Sequence, residues 1–214
     1  MKFKTQTAYS QSSMTAQKAI NMLKEGNRRF IEASPIERDY SIQIEMTKSG
    51  QYPFAVILSC IDSRVPSEIV FDQGIGDLFN ARVAGNCISD DVLGSIEYAT
   101  KFAGSKLIVV MGHTACGAVN SACAGVKSGH ITQLLEKIHP AIQKVKNEKN
   151  ETEESFIKSV TIENVKHVLL EIPKQSKEIR ELIESKQIEM IGSIYNVESG
   201  KVDFFNAFES LKNN

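Results

Sequence analysis

The sequence has little cysteine, little proline, almost no net charge and no long apolar run. Four cysteines in 214 residues are too few for a disulfide-stapled miniprotein, and five prolines with 13 glycines exclude collagen-like or low-complexity chains. Twenty-five basic against 26 acidic residues leave a formal charge of -1. That balance offers no general attraction to phosphate backbones or anionic lipid, so no nucleic-acid partner is expected. The longest apolar stretches, Ala55 to Ile61 and Leu107 to Gly112, are strand-length and far short of the roughly 20 residues that span a bilayer, so no membrane partner is expected either. The basic start, Met1-Lys-Phe-Lys, is not followed by the apolar core of a secretory signal, and a cytoplasmic location is expected. What remains is an ordinary globular composition, 42% hydrophobic and 24% charged. A chain of this length folds as one domain, residues 1–214, and buries roughly 70% of its unfolded surface. Such a core needs no metal to hold it together, so a bound metal would be functional.

The apolar period through Ala19, Ile20, Leu23, Phe30 and Ile31 predicts an amphipathic helix over 14–33, capped by Ser13 or Thr15 and stopped by Pro35. It stands ahead of a core that has no evident need of it. Phe54 to Ser59 reads as a fully buried strand, with a helix starting near Pro66. Asp77–Val83 is a second strand, Asp90–Ala103 a helix, and Lys106–Met111 a third strand. Gly112 to Gly117 turns into another helix, followed by charged helical segments near 131–148, 152–171 and 174–186. The charged run Lys144 to Glu154 reads as a connection between helices. Ile188–Tyr195 and Val202–Phe205 flank a turn at Ser199-Gly200 as a strand pair would. Alternation of strand and helix predicts an α/β fold: a mostly parallel central sheet flanked by helices, with an N-terminal helical arm and a C-terminal strand pair.

Ligands collect at the C-terminal ends of parallel strands, and there the sequence places its chemistry. Cys60 ends the first predicted strand, while His113 and Cys116 follow the third, one turn apart. Two thiolates and an imidazole suit zinc, and three protein ligands leave a fourth position for water or substrate. Free cysteine is also a common core residue; Cys87 and Cys123 have no ligand-type neighbour and stay with that reading. His130, His139 and His167 lie in polar helical segments and read as solvated. In extended chain, residues two apart share a side, so Cys60, Asp62 and Arg64 are expected to converge on one cavity, Arg64 clamping Asp62 bidentately. The plainer alternative is a surface ion pair of little worth.

These residues carry a resemblance. Cys60-x-Asp62-Ser63-Arg64 and His113-x-x-Cys116 resemble the two motifs of β-class carbonic anhydrases, in the same order and spacing. Further similarity runs through Gly26-Asn27-x-x-Phe30, Gly76-Asp77-Leu-Phe79, Arg82-x-Ala-Gly-Asn86, Glu97-Tyr98-Ala99 and Tyr195-x-Val-x-x-Gly200, nearly the whole chain.

The resemblance implies zinc, one per chain, on Cys60, His113 and Cys116, with Asp62 and Arg64 as a catalytic dyad. It also implies that Gln51, nine positions before Cys60, hydrogen-bonds at the active site across a dimer interface. The N-terminal helix would then be an arm on the partner of a homodimer, with a dimer of dimers as the further assembly the resemblance allows. The implied reaction is reversible hydration of carbon dioxide to bicarbonate and a proton, by water activated on zinc and aimed by the dyad. Members regulated by bicarbonate carry tryptophan three positions before the first zinc cysteine; Ile57 stands there and the chain has no tryptophan, so no such pocket is expected. Two rivals keep most of these residues: the same fold hydrolysing carbon disulfide or carbonyl sulfide, and a non-enzymatic zinc protein with Asp62 capping the metal.

Overall fold

The computed structural model describes residues 5–148 and 152–206. A short helix α1 (Ala8–Ser12) precedes α2 (Ala16–Ile31), whose first turn is closed by the Thr15 hydroxyl accepting from the Lys18 N–H. Arg28 and Arg29 stand in the last turn of α2, the favoured place for cations at a helix C-terminus. The face marked by the apolar period is not left over: Ala16, Ala19, Ile20 and Leu23 are buried against Phe54, Phe71, Tyr195 and Val202 of the same chain. The core does need this helix, contrary to expectation, because α2 covers one whole face of the sheet. Gly26 makes the fit possible, since a Cβ there would lie 1.8 Å from the Phe71 carbonyl oxygen.

Helix α3 (Tyr40–Thr47) leads to β1 (Ala55–Ser59), buried along its full length. A four-residue helix α4 (Ser67–Val70) follows, with Pro66 at its N-cap rather than in its first turn. Then come β2 (Leu78–Arg82) and a tight turn at Ala84–Asn86. Ser89 caps α5 (Asp90–Glu97), which continues without a break into a widened turn over Tyr98–Phe102, so the helix predicted to Ala103 is observed with its last turn widened. Strand β3 (Leu107–His113) is longer than predicted and takes in His113 as its last residue. The remaining elements are α6 (Gly117–Cys123), α7 (Gly129–Glu136), α8 (His139–Glu148), α9 (Glu153–Gln175), α10 (Lys177–Glu184), β4 (Glu189–Tyr195) and β5 (Val202–Phe205). Helix α9 runs through Pro173 and breaks only at Ser176, whose extended backbone and hydroxyl cap α10. Part of the predicted connection, residues 149–151, lies outside the described residues.

The sheet order is β2-β1-β3-β4-β5, with β1 to β4 parallel and β5 antiparallel to β4. Helix α2 packs on one face; α5, α9 and α10 pack on the other. A third apolar cluster, built by α6, α7, α8 and the first half of α9, closes around Cys60, Cys87 and Cys116 at the C-terminal end of the parallel strands. Among the described residues no helix is long and apolar enough to cross a membrane.

Candidate metal centre

Strands β1 and β3 are adjacent and in register, Ser59 opposite Met111, so Cys60 and His113 leave the sheet side by side. Ala115, in the left-handed region at φ 54°, turns the chain sharply and delivers Cys116 as the N-cap of α6. The three ligand atoms lie within 4.8 Å of one another and all three residues are buried. Two sulfurs bound to one tetrahedral zinc at about 2.3 Å stand about 3.8 Å apart; Cys60 Sγ and Cys116 Sγ are 3.9 Å apart. His113 Nδ1 faces the Thr114 carbonyl oxygen at 2.9 Å, which assigns the proton to Nδ1 and leaves the Nε2 lone pair pointing inward. That Nε2 is buried with no hydrogen-bond partner, a costly arrangement without a ligand. The donor set therefore fits zinc. Electrostatics agree: the contact between the two sulfurs lowers the pKa of Cys60, and the same contact with burial pushes Cys116 up. Without a cation the two sulfurs share one proton, which a metal would displace.

Asp62 and Arg64 converge on the cluster, but not through extended chain. The Val65 N–H donates to the Asp62 carbonyl, closing a turn, and within it Arg64 grips the Asp62 carboxylate by Nε at 2.9 Å and Nη2 at 2.7 Å. The Arg64 backbone N–H adds a third bond at 3.0 Å, and Arg64 Nη2 also donates to the Ala115 carbonyl at 3.1 Å. These donors hold the Asp62 carboxyl well below the usual carboxylate range, with Arg64 the largest cause. Asp62 Oδ2 lies 3.8 Å from His113 Nε2, beside the ligand cluster while engaged by Arg64.

Gln51 is exposed and sits ahead of β1, at the opposite end of that strand from Cys60, so a single chain does not bring it to the cluster. Cys87 and Cys123 are outside the ligand group among the described residues, and burial pushes the Cys87 thiol up to about 11, the range of an inert core cysteine. His130 and His139 are exposed as expected, whereas His167 is half-buried and its pKa is lowered by desolvation. Ile57 is wholly buried in the core on the α2 side.

Two supporting residues escaped the sequence reading. Arg82 Nε donates to the Cys60 carbonyl at 3.0 Å and its Nη2 to the Asp62 carbonyl at 2.6 Å, pinning the loop that carries both; the string Arg82 to Asn86 was the available signal. Asn164 of α9 donates to the Gly85 carbonyl at 2.9 Å, a contact that nothing in a helical segment announces.

Comparison with known proteins agrees with this geometry. The carbonic anhydrase family model matches residues 55–202. Carbonic anhydrase 2 of Mycobacterium tuberculosis is 36% identical over 189 residues, covering 86% of this chain and 89% of that protein. The carbonic anhydrase of Mycolicibacterium smegmatis is 33% identical over 191 residues, covering 86% and 91%. Among solved structures, the Coccomyxa β-carbonic anhydrase in complex with acetazolamide superposes with a TM-score of 0.70 at 18% identity, covering 92% of this chain and 87% of that one. One from crystal structures of tetrameric β-carbonic anhydrases of Sordaria macrospora gives 0.69 at 21%, covering 92% and 95%. By family model, relatives and fold together, the chain belongs to the β-class carbonic anhydrases.

Proposed function

We propose that this chain catalyses the reversible hydration of carbon dioxide to bicarbonate and a proton, with zinc held by Cys60, His113 and Cys116 and with Asp62 and Arg64 as the catalytic dyad. The observation that carries the reading is the orphaned, buried His113 Nε2 facing two sulfurs 3.9 Å apart, with an Arg-clamped carboxylate 3.8 Å away. When bound, the metal supplies the Lewis acidity that makes water a nucleophile near neutral pH. The rest falls to the chain. Asp62, kept ionised by Arg64, accepts a hydrogen bond from the attacking oxygen and so aims its remaining lone pair at carbon dioxide. Arg64 holds that carboxylate in one orientation and is itself held by the Ala115 carbonyl. The His113 Nδ1–H···O bond to Thr114 keeps the imidazole in the tautomer that offers Nε2.

A second copy of the chain supplies Gln51 to orient substrate or nascent bicarbonate, because within one chain that side chain is exposed far from the cluster. Exposed Tyr9 and Ile31 of α1 and α2 are proposed to contact the partner. The tetrameric assembly described for the Sordaria macrospora relatives is consistent with a homodimer assembling further into a dimer of dimers.

The test is zinc content per chain together with stopped-flow carbon dioxide hydration and, in parallel, turnover of carbon disulfide. About one zinc per chain with hydration far exceeding carbon disulfide hydrolysis is expected, and Cys60→Ser should lose both metal and activity. Full zinc and full activity in Cys60→Ser would overturn the site, and dominant carbon disulfide turnover would overturn the substrate.

A further inference from the structure

Helix α9 carries a buried amide where an apolar residue would pack. Asn164 is 1% exposed on a helix whose neighbouring buried positions include Val160, Val165 and Val168. A half-satisfied amide in such surroundings is costly, and this one has its Oδ1 without a partner. Its Nδ2 makes one bond, to the Gly85 carbonyl at 2.9 Å, across 79 positions of sequence. The Cys87 thiol donates weakly to the same oxygen at 3.6 Å.

Gly85 is where that bond reaches the metal centre. Its own N–H points at Cys60 Sγ, 3.4 Å away. Gly85 lies in the left-handed region, at φ 68° and ψ 17°, a conformation that favours glycine, and a Cβ there would press on the end of the Ile138 side chain, with Cδ1 at 2.9 Å. Glycine is also the residue freest to leave that conformation. What stops it is the grip on its carbonyl from α9.

We propose that Asn164 is a positioning residue for the metal: by fixing the Gly85 carbonyl it holds the Gly85 N–H on the sulfur of Cys60 and so governs how tightly that thiolate binds zinc. This rests on the proposed function, in which Cys60 is a ligand. An N–H···S bond draws charge from a thiolate, and partners behind the ligands characteristically govern metal affinity 10- to 100-fold. The buried amide acts on Gly85, 25 positions after the ligand that Gly85 contacts.

The test compares wild type with Asn164→Leu, which keeps the branched shape, is bulkier and removes the donor, and Asn164→Ala, should leucine not fit. Val168→Ala on the same buried helix side is the control for loss of packing alone. Zinc affinity is measured by chelator competition, melting temperature by calorimetry, and the sulfur-to-metal charge-transfer band after loading with cobalt(II). Both Asn164 variants should bind zinc at least about tenfold more weakly, with a displaced band. Val168→Ala should lower the melting temperature while leaving affinity and band alone. Asn164 variants with wild-type affinity and an unmoved band would overturn the inference while leaving the metal site standing, as would Val168→Ala weakening zinc equally. A wild type that binds no zinc through Cys60 would overturn the proposed function and this inference with it.

Discussion

Asp62 is the residue on which chemistry and electrostatics meet. Its carboxyl is held far below the usual range by Arg64, so it stays ionised across any working pH and its own titration leaves no mark on the activity profile. Two thiolates neutralise the charge of zinc and weaken its Lewis acidity relative to an all-imidazole set, so hydration activity should rise from neutral to alkaline pH. Asp62→Asn should keep zinc and lose roughly 10²-fold or more in kcat, the scale of removing one preorganised polar group. A kcat profile against pH, with metal analysis of both proteins, checks this; undiminished turnover in Asp62→Asn would remove the dyad from the mechanism. His167 gives a separate pH effect. Burial lowers its pKa, so the folded state refuses a proton that the unfolded chain accepts near pH 6.5, and the stability this contributes is present above that pH and lost as pH falls below it. His167→Gln should therefore lose less stability than wild type between pH 7.5 and 5.5, read from urea midpoints at the two pH values.

At the level of elements, α2 is the informative case. Its period, cap and stop were legible in the sequence, and the helix observed lies within the predicted range. Its role was not legible, because an amphipathic pattern says that a face will be buried and not against what. Leu23, fully buried with Phe54 and Phe71 in one cluster, should cost about 2–5 kcal/mol on truncation to alanine, measured by urea denaturation. Deleting residues 1–34 should unfold or aggregate the protein rather than yield a folded monomer, because a face of the sheet would be stripped; circular dichroism and sedimentation distinguish these. Helix α9 shows a different limit. The sequence reading ends one helical segment at 171 and starts the next at 174, yet the helix continues through Pro173 to Gln175. Tertiary packing of Leu169 and Ile172 in the core outweighs one missing N–H.

For the whole molecule, the proposed role of Gln51 can be tested through assembly. A side chain at the N-terminal end of β1 and a ligand at its C-terminal end cannot serve one site within one chain, so the proposed site is composite. Two weak enzymes should then complement each other. In a heterodimer of Gln51→Ala with Cys60→Ser, the zinc cluster of the first chain meets the Gln51 of the second, rebuilding one intact site. Mixing the variants under conditions that exchange subunits should raise hydration activity above the mean of the two alone. Activity equal to that mean would place Gln51 outside the site.

The sequence by itself pointed to the Cys60, His113 and Cys116 group, the Asp62–Arg64 pair, the alternation of the main strands and helices, and the family. Those features depend on residue type and short spacing: strand ends gather ligands, alternation of strand and helix yields a parallel sheet, and two motifs name three ligands. Only the tertiary structure decided how the pieces bear on one another. The Arg64 guanidinium on the Ala115 carbonyl, the guanidinium of Arg82 across two carbonyls of the Cys60–Asp62 loop, and the Asn164 amide behind Gly85 all join atoms from distant parts of the chain. Such contacts depend on the register between strands and the packing of helices on the sheet, which arise from burial summed over the whole chain and leave no local pattern in any one segment.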